Sequence, residues 1–174
     1  MKARIGFIVL LLGGFLVSAQ EKYNVPKPQK PDVLFIVHAG SLVETEVAEA
    51  QESKNKDDII YTVKGATSPA KTPMAEPILI MESSKVSPDR LSLFRMDIKN
   101  GQRQLTIRPQ GKRGKNDAKP IFLMVNRLKG NLYKVEVNEF LENGEYCLSP
   151  EGSNQVFCFT TYSLRSDSTV FFCC

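Results

Sequence analysis

The chain has 174 residues, 42% hydrophobic and 24% charged, with four cysteines, no tryptophan and a formal net charge of +4. That length fits one domain able to bury a core of its own. Setting residues 1–19 aside lowers the net charge to +2 over 155 residues, too little for a general affinity for nucleic acid.

Residues 1–19 read as a secretory signal peptide. Lys2 and Arg4 precede an apolar run over 5–17, and Val17-Ser18-Ala19 supplies small groups before Gln20. The apolar run is short of the about 20 residues a spanning helix needs. No second such run follows, and no cysteine precedes Cys147 to take a lipid. The expected protein is exported, periplasmic or secreted, without transmembrane anchoring after cleavage. Residues 20–31 carry Pro26, Pro28 and Pro31, which predicts an extended linker. The domain is expected over 32–162, followed by a tail over 163–174.

Within the domain the pattern is nearly all strand. Residues 33–38 are β-branched and aromatic, and Ala39-Gly40 offers a turn into a strand over 41–47. Residues 48–57 are rich in Ala, Glu, Gln and Lys without an apolar face, which predicts a loop or one frayed helical turn. Short apolar strands follow over 59–64 and 78–82, separated by a Pro/Ser/Thr-containing loop over 65–77.

Asn100-Gly101 between alternating runs over 91–99 and 102–108 is the strongest hairpin signal. A two-residue turn there pairs positions summing to 201. Phe94 then faces Ile107 and Met96 faces Leu105 on one side, with Arg95 opposite Thr106 on the other. Residues 121–126 and 132–137 form a second pair. A three-residue turn at Lys129-Gly130-Asn131 sets Leu123 against Val137 and Val125 against Val135. Residues 144–149 and 155–162 form the last hairpin, its register summing to 305. That sum sets Tyr146 opposite Phe159 and Leu148 opposite Phe157. The expectation is an all-β antiparallel sandwich of about 8–10 short strands.

The same register sets Cys147 directly across from Cys158. In an oxidising compartment the pair could close a cross-strand disulfide; reduced, the two would behave as small buried hydrophobes. Both readings stay open from the sequence. Cys173 and Cys174, after the polar residues 163–169, read as a chain end or as cysteines for intermolecular pairing.

Leu141, Gly144 and Tyr146 in Leu141-Glu-Asn-Gly144-Glu-Tyr146-Cys-Leu148 resemble the tyrosine corner of immunoglobulin-like sandwiches. The region 32–162 also resembles exported bacterial proteins of no assigned function that end in a similar Gly-Glu-Tyr hairpin. The resemblance implies an immunoglobulin-like sandwich and no activity. The chain departs from antibody domains in having no tryptophan and no cysteine in an early strand.

Sites for chemistry are sparse. His38 is the single histidine and stands at a strand end, where no metal site can be built from it alone. Gly111-Lys-Arg-Gly-Lys115 lacks the spacing and the Ser/Thr of a phosphate loop. Glu44, Glu46 and Glu49 could line one edge for a cation, but they lack the oxygen-rich pattern of a calcium loop and read instead as the solvated face of a strand. Residues 99–119 hold seven bases and one acid. Within them Arg103, Arg108, Lys112, Arg113, Lys115 and Lys119 make a candidate anion-binding patch for an anionic envelope component. No aromatic residue stands among them to stack bases. No catalytic, cofactor or metal residues are assigned. The expected function is an exported non-catalytic module, structural or binding, whose partner is an anionic envelope component or another protein. The alternative is an exported hydrolase with carboxylates from distant strands and residues 65–77 as a lid.

Overall fold

The computed structural model describes residues 26–56, 58–108 and 118–163. Thirteen strands run through them, more than the sequence pattern predicts because the run expected over 41–47 divides in two and two further strands form within expected loops. In chain order they are β1 (Leu34–His38), β2 (Ser41–Glu44), β3 (Glu46–Glu49), β4 (Gln51–Asn55), β5 (Asp58–Val63), β6 (Lys71–Thr72), β7 (Ile78–Glu82), β8 (Leu91–Lys99), β9 (Gln102–Ile107), β10 (Leu123–Lys129), β11 (Leu132–Val137), β12 (Gly144–Pro150) and β13 (Gln155–Thr161). A single 3-10 turn, Pro88–Arg90, leads into β8. Among the described residues there is no α-helix.

The fold is all-β and sandwich-like, built from antiparallel sheets. One sheet has the order β10-β11-β7-β1-β2; the other runs β3-β13-β12-β8-β9-β5-β4, with β6 added in parallel to β13. The main core lies between them. Leu34 and Ile36 of β1, Leu79 and Met81 of β7 and Val135 of β11 meet Leu93, Leu148, Phe157 and Phe159 across the gap, all fully buried or nearly so. Fully burying side chains of this size stabilises by roughly 1.5–3 kcal/mol each. Tyr146 joins this core, its ring stacked 5.8 Å from Phe159 and its hydroxyl donating to the Glu142 carbonyl at 2.9 Å.

The strand expected over 41–47 crosses from one sheet to the other at Thr45. Its amide and its hydroxyl both donate to the Leu34 carbonyl, at 3.1 and 2.7 Å, which pins the crossing point. The next segment corrects a sequence expectation. Residues 48–57 hold neither a loop nor a helical turn over most of their length: Ala48 and Glu49 complete β3, and β4 follows with every side chain exposed. Its low strand propensity is overridden by a complete ladder to β5, from Gln51 opposite Thr62 to Asn55 opposite Asp58. Residues 65–77 are likewise tied down. Lys71–Thr72 pairs with β13, Thr160 and Tyr162 donate their amides to Ala70 and Thr72, and the Ser68 hydroxyl donates to the Cys158 carbonyl. That anchoring argues against a mobile lid.

The three hairpin registers agree with the sequence arithmetic where the strands pair. Asn100 and Gly101 hold φ of 51° and 71°, as a type I′ turn needs, and Asp97 faces Gln104. Tyr146 faces Phe159, Cys147 faces Cys158 and Leu148 faces Phe157. Leu123 faces Val137 and Val125 faces Val135, but the turn is tighter than three residues. Lys129 faces Leu132, and a bulge between Arg127 and Lys129 absorbs the extra residue.

Candidate functional site

The second sheet closes on itself. Its two ends, β3 and β4, are one stretch of chain interrupted only by Ala50. The hydrogen-bonded path therefore leaves this stretch through β13, β12, β8, β9 and β5 and comes back to it. Alternate residues on every member of the ring point inward, as the pleat requires. They form a second core separate from the first: Ala50, Val63, Met96, Leu105, Val156, and the bonded pair Cys147–Cys158.

The ring is not filled throughout. β8 and β9 pair only from Asp97–Gln104 to Lys99–Gln102. The pairs expected further from the turn, Met96 with Leu105 and Phe94 with Ile107, are absent from the ladder, so the strands diverge there. β8 instead takes up Ile121, whose amide donates to the Leu93 carbonyl at 2.8 Å. A cavity of about 430 Å³ lies inside the ring at this end. Its floor is Val63, Phe94, Met96, Leu105, Cys147 and Val156. Polar groups stand at its mouth: Glu52, Tyr61, Ser92, Ser149 and the β12–β13 turn through Asn154. Burial pushes the Tyr61 hydroxyl above its ordinary pKa, helped by the Glu52 carboxylate that accepts its hydrogen bond.

The other end of the ring is closed by charge. Arg103 extends the inward face of β9 beyond Leu105, and its side chain has no exposed surface. It grips Glu46 of β3 through two bonds of 2.6 and 2.8 Å, and donates to the carbonyls of Lys64 and Gly65 at 2.7 and 3.1 Å. Burial raises the Glu46 carboxyl pKa, but the bonds from Arg103 and its charge outweigh it, leaving it below the usual carboxylate value. Beside this pair Glu145, also buried, accepts the Ser68 amide at 2.9 Å and the Thr160 hydroxyl at 2.7 Å. The segment 64–70 thus lies across this end as a strap.

The six members of the sequence-predicted basic patch fare differently. Arg103 is withdrawn from it, because a fully buried guanidinium already committed to a carboxylate and two carbonyls offers nothing to an external anion. Arg108 contacts Asp58 at 3.4 Å. Lys119 is exposed. Lys112, Arg113 and Lys115 lie outside the described residues, as do Cys173 and Cys174 and residues 1–19. Cys147 and Cys158 are joined, with Cα atoms 4.0 Å apart, and both are buried inside the ring. His38 is exposed at the end of β1. The three glutamates separate: Glu44 pairs with Lys30 at 2.7 Å, Glu46 is half-buried against Arg103, and Glu49 is exposed. Among the described residues no group of three or more His, Cys, Asp or Glu could hold a metal ion.

Sequence reasoning missed the inner cavity, the Arg103–Glu46 pair and buried Glu145. The signal for Arg103 was present: it continues the alternation Arg103, Leu105, Ile107 on the apolar side of the Asn-Gly hairpin. A further carboxylate, Asp32, has a purely local task. One of its oxygens accepts the amides of Ser84, Lys85 and Val86 at 2.7–3.0 Å. Burial opposes ionisation there, but these bonds together hold the carboxyl below its ordinary pKa. Comparison with known protein families, characterised proteins and solved structures finds no match to this chain.

Proposed function

We propose that the protein is exported and acts as a non-catalytic binding module, with the ring cavity as its site. The observation that carries this reading is that every buried residue lining the cavity, Ala50, Val63, Met96, Leu105, Cys147, Pro150 and Val156, is apolar. Hydrolysis by paired acids needs two carboxylates within reach of one bond, and the acids at this cavity, Glu52 and Glu151, stand at the mouth. Half-buried Glu46 and buried Glu145 are engaged in holding the structure, Glu46 by Arg103 and Glu145 by Ser68 and Thr160. A concave apolar site with a few polar groups at its entrance suits recognition of a ligand.

Export is supported by the layout of residues 1–19 and by the buried Cys147–Cys158 bond, which is compatible with an oxidising compartment. No helix among the described residues is long and apolar enough to cross a membrane. An envelope-associated role drawing on Lys112, Arg113 and Lys115 remains part of the proposal.

The full chain, expressed with its own amino terminus in a bacterium, is fractionated and its amino terminus sequenced. The expected product begins at Gln20 outside the cytoplasm; uncleaved protein in the cytoplasm sinks the export reading. The purified product is then assayed on ester, glycoside and phosphoester substrates. No turnover is expected. Turnover abolished by Glu52→Gln would establish an enzyme instead.

A further inference from the structure

Resting on the binding-module reading, we propose that the ring cavity takes an amphiphile. Its apolar body lies inside the ring, where β8 and β9 diverge, and its uncharged or cationic head stays at the mouth.

The argument begins with size. The cavity of about 430 Å³ is nearly three times the volume, about 150 Å³, that admits a benzene ring, and falls within the range of small-molecule sites. It is also built into the fold. It lies where two strands that the Asn100-Gly101 turn starts as a regular ladder part after three residue pairs, and every strand of the ring except β3 supplies residues to its wall.

The floor offers no hydrogen-bond partner to a polar group beyond its backbone, so burying a charged head there is strongly disfavoured. The head must therefore remain at the rim. Among the described residues, the ionisable carboxylates of the lining are Glu52 and Glu151, and neither lysine nor arginine belongs to it. Glu151 faces the exposed Arg90 at 3.5 Å, which leaves Glu52 as the main charge. Lys54, two residues further along β4, is exposed and outside the lining. An anionic head would meet Glu52 as a like charge, and a cationic or hydrogen-bond-donating head would meet it as a partner. Tyr61 and Ser149 add hydroxyls at the same level.

The probe is N-phenyl-1-naphthylamine, an uncharged aromatic amine whose fluorescence rises in apolar surroundings, titrated into the mature protein at neutral pH. Competitors are dodecylamine and dodecanoate, which share a chain and differ in head charge, each used below its aggregation concentration. Saturable one-site fluorescence is expected, displaced by dodecylamine at a concentration at least tenfold lower than by dodecanoate. Ile107→Trp, which places an indole in the cavity wall, is expected to weaken the probe at least tenfold while keeping the unfolding midpoint. Glu52→Lys, at an exposed position, is expected to bring the two competitors within threefold or reverse them. Absence of a saturable signal, or undiminished binding by a folded Ile107→Trp protein, overturns the site. Equal displacement by the two competitors, or an unchanged preference in Glu52→Lys, overturns the head-group assignment. Should Ile107→Trp fail to fold, Glu52→Lys decides alone. Turnover of a substrate would instead overturn the non-catalytic reading while leaving probe binding intact.

Discussion

Arg103 carries a charge into a place with no exposed surface, and only its partners make that tolerable. Removing one member of a buried pair leaves the other charge uncompensated, which typically costs about 3–5 kcal/mol. Glu46 keeps 21% of its side chain exposed, so the lower end applies. Arg103→Met is expected to lower unfolding stability by about 3 kcal/mol, measured by urea denaturation, and adding Glu46→Leu is expected to restore most of that loss. A single-variant loss under about 1 kcal/mol would mean that solvent already screens the pair. The depressed carboxyls of Glu46 and Asp32 also give stability a pH dependence. Both groups hold protons more weakly folded than unfolded. Their contribution is therefore complete above the ordinary carboxylate values of 4.5 and 3.8 and is lost as pH falls through the lower folded values. The melting temperature should drop steadily as pH is lowered below about 4.5, and Glu46→Gln should flatten that slope while lowering stability at neutral pH. A slope unchanged by Glu46→Gln would remove Glu46 from the account.

At the scale of single elements, most of what local chemistry can specify was readable. The Asn100-Gly101 turn, both later registers and the cross-strand position of the two cysteines all follow from turn type and period-two alternation. What misled was β4. Its residues carry no apolar face because all five are exposed, Glu52 at the cavity mouth included, so periodicity had nothing to report. The last hairpin was half read. Its aromatic face was expected to be buried, and Tyr146, Leu148, Phe157 and Phe159 are. The cysteine face proves equally buried, in the ring core. The unbroken apolar run Val156-Phe-Cys-Phe159 is the pattern of a strand covered on both sides. The Cys147–Cys158 bond closes a short loop, for which chain entropy gives about 3 kcal/mol. Cys147→Ala with Cys158→Ala is expected to lower stability by roughly 2–3 kcal/mol, read as a shift in denaturation midpoint that reductant no longer adds to. Free thiols in the non-reduced protein, detected by mass spectrometry, would contradict the bond itself.

Over the whole molecule the ring is the decisive feature, because it converts the weakest strand into a structural link. Exposed β4, one end of the second sheet, runs on directly from β3, the other, so its backbone should be held although its side chains are not. Hydrogen exchange should find the β4 amides that donate to β5 protected at a level comparable with β5 itself. Exchange at the rate of an open loop would show that the ring is not closed in solution. The sequence by itself determined the all-β class, the hairpin registers and the pairing position of Cys147 and Cys158, because these depend on neighbours a few residues apart across a turn. Only the tertiary structure decided that β3 and β4 close the second sheet, that Arg103 seals one end against Glu46, and that the divergence of β8 from β9 leaves a cavity at the other. Those outcomes depend on strands far apart in the chain. Glu46 and Arg103 are 57 positions apart, and no local pattern of polarity records which distant strand will lie alongside.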